Sequence, residues 1–168
     1  MLRFLLGFLL CASSVVHAQS AFVNVGLGPD FQVKSVSQSY DSARFRMEIE
    51  LGEKNLGFTV QPAFGNDAFS LFLGPRLMLP IQIGKQPLFI IPDFTIGPDF
   101  GFSHDTIGFA VDLKFGFRAI YEFADGMGVS FRPFGLTLRP FNVWFGPTPN
   151  QTQMSVTYEM SFGFVYFF

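Results

Sequence analysis

The residues SVTYEMSFGFVYFF at positions 155–168 decide the fold. Every second residue from Val156 to Phe168 is apolar or aromatic, and most of the residues between them are small or polar. Successive side chains of a β-strand point to opposite faces, so this alternation predicts a strand with one aromatic face. The alternation continues over positions 155–168, whereas the usual strand has about 5–6 residues. The sequence therefore predicts an unusually long last strand.

The same period of two recurs along most of the remaining chain. Apolar residues alternate with polar or small ones in runs at 44–51, 56–64, 71–83, 88–102 and 107–123, and two further strands are predicted near 20–32 and 127–141. Turn-forming residues separate these runs: Glu53-Lys54-Asn55, Asn66-Asp67, Lys85-Gln86-Pro87, Ser103-His104-Asp105 and Asp125-Gly126. Longer connections are predicted at 33–42 and 142–152. With the last strand, the predicted count is eight.

The N-terminal segment, residues 1–18, has the features of a secretory signal peptide. Arg3 supplies a positive charge, an apolar run follows, and Val16-His17-Ala18 precedes a predicted cleavage before Gln19. An N-terminal membrane anchor is the alternative, but the apolar run is far shorter than the ~20 residues of a spanning helix. The only cysteine, Cys11, lies in this segment. The predicted domain, residues 19–168, therefore has no disulfide, cysteine zinc site or cysteine nucleophile.

The predicted domain is rich in phenylalanine and glycine but has no apolar run long enough for a membrane helix. The chain has 25 Phe and 17 Gly, and a transmembrane β-barrel explains this composition because its apolar residues are spread one in two along tilted strands. Arg3 belongs to the predicted signal peptide, which leaves 10 of the 11 basic side chains against 13 acidic ones. This balance does not indicate a nucleic-acid partner. We predict an all-β fold, an antiparallel up-and-down transmembrane barrel of eight strands, with both ends in the periplasm.

The apolar face of this barrel is predicted to contact lipid. The alternative is a soluble lipocalin-like barrel, which has an apolar cavity inside and its charges in water. The longest predicted strands exceed the ~9–11 residues that cross a bilayer when tilted. Phenylalanine is also too bulky to line an eight-stranded barrel, whose interior is just filled by side chains. A polar, glycine-rich face suits such a crowded interior better.

These features together resemble the small eight-stranded outer-membrane barrels of the OmpA/OmpX type. The signal peptide, the alternation and the last strand carry the resemblance. In that family the barrel-assembly machinery recognises a terminal phenylalanine preceded by alternating aromatic residues, and Phe162, Phe164, Tyr166 and Phe168 match this signal. The resemblance implies the outer membrane as the location, and membrane lipids and the assembly machinery as partners. It implies hardly anything about function.

Charged side chains are predicted to fill the lumen as a network of ion pairs. Unpaired charges in a narrow interior are costly, so a balanced set predicts mutual pairing and a plugged barrel. The polar faces of the strands carry seven basic and seven acidic residues: Arg44, Arg46, Arg76, Lys114, Arg118, Arg132 and Arg139, with Glu48, Glu50, Asp93, Asp99, Asp112, Glu122 and Glu159. From the predicted turns, we expect Asp93 to lie between Arg76 and either Lys114 or Arg118.

Three local features add detail to this arrangement. Inward apolar residues near the periplasmic end are expected to close that mouth: Phe22, Phe89, Ile120, Val165 and Phe167. The apolar phase shifts at Pro133-Phe134, which predicts a bulge. A Gly-Pro pair followed by a charged residue occurs at 28–30, 74–76 and 97–99, and we interpret it as a recurring local kink. The in-strand prolines remain unexplained at this level, because each removes a ladder hydrogen bond.

No catalytic residue, metal site or cofactor is predicted. The Ser103-His104-Asp105 sequence is a poor catalytic triad, because adjacent residues in a tight turn point apart, and it is interpreted as a polar turn. The predicted function is a non-enzymatic barrel with a plugged lumen that serves envelope structure or surface interaction. A narrow porin-like pore or a conduit for small apolar molecules is the alternative. A lipid A-modifying enzyme is a third class for which no site is found in the sequence.

Overall fold

The computed structural model describes residues 21–35, 44–65, 68–146 and 155–168. The predicted signal peptide, the Asn66-Asp67 turn and most of the two predicted longer connections lie outside the described residues. Almost all of the described chain is β-strand: β1 (Ala21–Ser35), β2 (Arg44–Glu53), β3 (Leu56–Phe64), β4 (Ala68–Met78), β5 (Ile81–Gln82), β6 (Leu88–Ser103), β7 (Thr106–Ala124), β8 (Met127–Phe145) and β9 (Ser155–Phe167). In the ranges described, no helix is long and apolar enough to span a membrane.

The strands form one closed antiparallel barrel. Apart from β4 and β5, each strand pairs with its neighbour in the chain, and β1 pairs with β9 to close the sheet. The ends of the barrel chain meet at this seam, where Ala21 and Phe168 exchange backbone hydrogen bonds of 3.3 and 3.0 Å. Both β4 and β5 pair with β6, so they are two parts of one strand. The predicted eight-stranded up-and-down barrel is therefore confirmed.

The interruption of the fourth strand is the main difference from the predicted strands. A continuous strand was expected over 71–83, but pairing stops after Met78 and resumes at Ile81. Pro80 lacks the backbone N–H that a central strand position needs, and Leu79 instead donates a single 3.0 Å hydrogen bond to the Pro92 carbonyl. β8 also extends to Phe145, so the predicted connection at 142–152 begins later than expected.

The two faces of the sheet differ in the way that the alternation predicts. Inward charged residues are almost fully buried, with Arg46 2% and Glu48 1% exposed. Outward apolar residues are open to the surroundings of the barrel, with Leu51 56% and Phe164 65% exposed. An apolar exterior and a charged interior are the arrangement of a barrel surrounded by lipid. The lipocalin-like alternative, which needs the opposite arrangement, is wrong.

The predicted bulge and the repeated Gly-Pro pair both have structural explanations. The register between β8 and β9 shifts between Arg132 and Gly135, which confirms a bulge at Pro133-Phe134. Gly74 and Gly97 belong to two of the Gly-Pro pairs, and they lie on the facing strands β4 and β6. A Cβ at Gly97 would lie 1.9 Å from the Leu73 carbonyl oxygen and 2.9 Å from the Gly74 Cα. The repeated glycine therefore permits a close approach of two backbones, which is more specific than the kink expected from the sequence.

Candidate functional site

The strand registers order the inward residues by depth between the two ends of the barrel. Along the pairing of β6 with β7, Asp99 lies opposite Ala110, Asp93 opposite Gly116, and Phe89 opposite Ile120. The β6–β7 turn marks one end, which we call the far end. The ends of the barrel chain meet at the other end, which we call the chain end. In outer-membrane barrels the end with short turns and both chain ends faces the periplasm.

Glu48 is the centre of the largest group of ion pairs, in the middle of the barrel. Its carboxylate lies 3.0 Å from the Arg76 and Arg118 guanidinium groups and 3.2 Å from that of Arg132. Gln61 and Ser161 also donate hydrogen bonds to it, at 2.9 and 3.2 Å. One buried carboxylate thus contacts five polar side chains that project from five different strands. This convergence at one point fills the width of the lumen.

Glu50 and Asp93 complete this central group. Arg76 and Arg118 both form ion pairs with Glu50, and Asn24 donates a 2.8 Å hydrogen bond to the same carboxylate. Asp93 lies 2.7 Å from Arg76 and 3.1 Å from Arg132. Three arginines therefore face three carboxylates, and the central group is balanced in charge.

Asp93 pairs with the predicted Arg76, but its second ion pair differs from the prediction. Arg76 pairs with Asp93 as expected, and Gly116 lies opposite Asp93 in β7. The second ion pair is with Arg132, whereas the predicted Arg118 acts on Asp93 through its charge without forming an ion pair with it. Arg132 lies on β8, which does not pair with β6, and reaches Asp93 across a narrow lumen. Lys114 and Arg118 instead turn to Glu159, and to Glu48 and Glu50.

A second group surrounds Glu159, closer to the far end. Arg46 lies 2.6 Å and Lys114 2.8 Å from the Glu159 carboxylate, and Thr137 donates a hydrogen bond to it. Arg46 also pairs with Asp30 at 2.7 Å, and Arg44 lies 3.6 Å from Asp30. Gln61 joins this group to the central one, because it accepts a 2.7 Å hydrogen bond from Lys114 and donates one to Glu48.

A third group lies toward the far end, where an aromatic ring also packs on the inner wall. Arg139 pairs with Asp99, and its Nε lies 2.8 Å from an oxygen of Asp112. The indole ring of Trp144 lies against two inward glycines, since a Cβ would be 3.2 Å from it at Gly101 and 2.7 Å at Gly108. The role of Trp144 was not anticipated from the sequence. The sequence feature that could have predicted this contact is the pair of glycines opposite the only tryptophan of the chain.

The structure brings thirteen of the fourteen predicted lumen charges into ion pairs. We call this set of side chains, with Asp30, the plug. Glu122 does not belong to it: its carboxylate accepts a 3.1 Å hydrogen bond from the backbone N–H of Gly126 in the adjacent turn. Asp30 takes its place among the anions. Within the described residues, seven cations and seven anions are therefore paired, but one anion differs from the predicted set. Asp30 is the charged residue that follows the first Gly-Pro pair, and this repeated motif is the sequence feature that could have predicted its place in the lumen.

The chain end of the lumen is open, contrary to the expectation that apolar residues close it. A cavity of about 800 Å³ lies there, which we call the cup. Its apolar wall comprises Phe22, Met78, Phe89, Ile91, Ile120 and Phe167, together with Pro80 and Pro87. Its charged lining residues are Lys54, Arg76, Lys85, Asp93, Arg118 and Glu122. The phenylalanine rings stay near the wall, with Phe22 and Phe167 centroids 6.2 Å apart, and do not meet across the lumen.

The plug side of the lumen holds almost no free space. The void among Asp30, Arg46, Lys114, Arg139 and their neighbours measures about 10 Å³. That volume is about one probe sphere, so it accommodates at most about one water molecule. The barrel interior is thus filled from its middle toward the far end and empty at the chain end.

The remaining predicted sites lie away from the lumen. The aromatic residues of the predicted assembly signal form an outward row on β9 and just after it, with Phe162 53% and Phe168 64% exposed. Ser103, His104 and Asp105 are exposed at the tight β6–β7 turn, which confirms the predicted turn. Among the described residues, no group of three or more His, Cys, Asp or Glu side chains is placed to hold a metal ion.

Comparisons with known proteins agree on the fold. No known protein family matches the chain, and no curated protein does. The solved structure of Neisserial surface protein A superposes with a TM-score of 0.63 at 12% identity, covering 88% of this chain and 97% of that one. The outer-membrane protein OprG from Pseudomonas aeruginosa has a TM-score of 0.55 at 10% identity, covering 89% and 96%. A major outer-membrane protein from Thermus thermophilus has a TM-score of 0.54 at 11% identity, covering 88% and 99%.

Proposed function

We propose that this protein, which has the fold of the small eight-stranded outer-membrane barrels, is a non-enzymatic and non-conducting barrel of the outer membrane. It serves envelope structure or the binding of partners at the cell surface. The observation that carries the proposal is the plug, in which Glu48 alone binds three arginines. An ion crossing the lumen would have to separate these pairs, and breaking a buried pair is strongly unfavourable.

Single-channel recording in planar bilayers tests the absence of conduction. We expect no discrete current steps from the purified protein. The double variant Glu50→Ala/Arg118→Ala serves as the matched control, because it removes both members of one buried pair and leaves Arg76 paired with Glu48 and Asp93. Silence in the unmodified protein supports the proposal, and steps in the control would show in addition that a single pair of the plug is needed to block the lumen. Reproducible steps in the unmodified protein would overturn it.

A conduit for small apolar molecules is the second candidate, and the cup is the observation that favours it. The cup provides an apolar entrance of about 800 Å³, but the plug blocks a straight path from it. Passage would therefore need an exit between strands. Uptake of a small apolar dye into liposomes that contain the protein tests this candidate, and a rate equal to that of protein-free liposomes would exclude it.

We also propose that the barrel-assembly machinery recognises the outward aromatic row of β9. The row is exposed and lies at the seam with β1, the pairing that closes the barrel. Deleting Phe168 is expected to lower the amount of folded barrel in the outer membrane, seen as heat-modifiable mobility on a gel, while export continues. Phe145→Ala is the control, because it removes an exposed aromatic residue from another strand. Equal folded yield for both variants would contradict this assignment.

A further inference from the structure

We infer that the cup is a binding site for a single-chain anionic amphiphile, a carboxylate with a short aliphatic or aromatic body. This inference goes beyond the proposed structural role and does not depend on it, because a non-conducting barrel can still bind a ligand at one mouth. Small-molecule sites are usually concave, about 300–1,000 Å³ in volume, and mostly apolar with a few polar groups. The cup, at about 800 Å³, has these properties.

The wall of the cup supplies the apolar surface for the body of the ligand. Phe22, Phe89, Ile91 and Phe167 point inward but remain only partly buried, since no side chain fills the space between them. Inward apolar side chains of an eight-stranded barrel normally fill its interior. Covering this surface with an apolar body would remove it from water, which is favourable in proportion to the area covered.

The charges of the cup favour an anion over a neutral or cationic ligand. Its lining has four cations and two anions, Lys54, Arg76, Lys85 and Arg118 against Asp93 and Glu122. At the floor, the two arginines are already paired with Glu48, Glu50 and Asp93. The surplus lies at the rim, where Lys54 and Lys85 occupy exposed turns and neither has an ion pair among the described residues.

This distribution also sets the orientation of the ligand. The carboxylate lies at the rim between the two lysine-bearing turns, and the apolar body extends inward along the phenylalanine wall toward Met78 and Ile91. A carboxylate placed at the floor would meet a set of charges that is already balanced. A cationic head at the rim would face the two unpaired lysines.

Protection of an introduced cysteine from a labelling reagent tests the inference. The only cysteine of the chain is Cys11, in the predicted signal peptide, so a cysteine introduced in the barrel is the only one there. Ile91→Cys places a thiol in the cup wall, and Asp125→Cys places one on an exposed turn at the same end of the barrel that does not line the cup. The protein in liposomes is treated with a water-soluble maleimide, and the labelled peptide is identified by mass spectrometry. Octanoate, octanamide and octylamine are the competing probes, each below its micellar concentration at pH 7.5. Phe89→Cys is the second wall variant if Ile91→Cys folds poorly.

We expect octanoate to slow labelling in the cup and to leave the labelling rate of Asp125→Cys unaffected. An exposed ion pair is worth up to about a fivefold change in affinity, so octanoate should half-protect at roughly two- to fivefold lower concentration than octanamide. Octylamine should protect least. The double variant Lys54→Gln/Lys85→Gln should abolish the difference between octanoate and octanamide while retaining protection by both.

Three results would overturn the inference. Failure of the maleimide to label either wall cysteine would mean that the cup is closed. Equal protection by the three probes would mean that the cavity has no preference for an anion. Equal protection of Asp125→Cys would mean that the probes act on the reagent or on the membrane rather than by occupying the cup.

Discussion

The plug and the cup are built on the same barrel, yet one is filled and the other is empty. Residues on inward positions form both regions, and the void in the plug is about 10 Å³ whereas the cup is about 800 Å³. The difference lies in side-chain reach. Arginine and glutamate side chains extend to the barrel axis, where ion pairs hold their ends together. Phenylalanine rings pack along the wall and leave the axis free, so an apolar layer need not close a barrel of this size.

The largest expected effect comes from removing the centre of the plug. Glu48→Gln should lower the free energy of unfolding by about 3–5 kcal/mol, because it leaves buried arginines without a compensating charge. Urea titration in liposomes measures this change. Glu122→Gln is the matched control at the cup and should change the free energy of unfolding by about 1 kcal/mol or less, because its carboxylate only caps a turn. Similar losses for the two variants would mean that the plug does not stabilise the barrel more than the cup does.

One phenylalanine in the plug and one in the cup allow the packing of the filled region to be compared with that of the open one. Phe72 is 2% exposed in the plug, with the Lys114 ammonium 4.4 Å from its ring centroid. Phe72→Ala should therefore cost about 3–5 kcal/mol through loss of contacts and a new cavity. Phe89→Ala should cost about 1 kcal/mol, because Phe89 already borders the empty cup. If the same urea titration ranks Phe89→Ala as the more damaging, the cup is not empty in the folded barrel.

Arginine substitutions on the outward faces of the two regions should show a smaller difference in the free energy of unfolding. Leu113 pairs with Ile96 at the level of the plug, and Tyr121 pairs with Leu88 near the rim of the cup. An arginine on the lipid face costs about 2–4 kcal/mol at the bilayer midplane and about 0–1 near the interface. Leu113→Arg should therefore destabilise more than Tyr121→Arg in liposomes. Equal values would mean that the plug does not lie at the midplane.

Most of the barrel and of the plug could be predicted from alternation, and the exceptions have local causes. Alternation assigned Glu122 to the lumen, but its position beside a tight turn gave it a closer partner in the Gly126 N–H. Pro80 interrupted a strand that alternation alone would continue. Pairwise reasoning between adjacent strands found Arg76 for Asp93 but not Arg132, because contacts across the lumen depend on the curvature of the closed sheet and on the bulge in β8.

By itself, the sequence determined which residues face inward, because a strand alternates its side chains whatever surrounds it. It also determined that the interior is charged and that the charges balance closely enough to pair. Only the tertiary structure decided which charges pair, since nine of the thirteen ion pairs among the described residues join strands that do not pair with each other in the sheet. It alone also decided that the chain end stays open. Whether inward side chains meet depends on the width of the closed barrel and on their length, and neither periodicity nor composition contains that width.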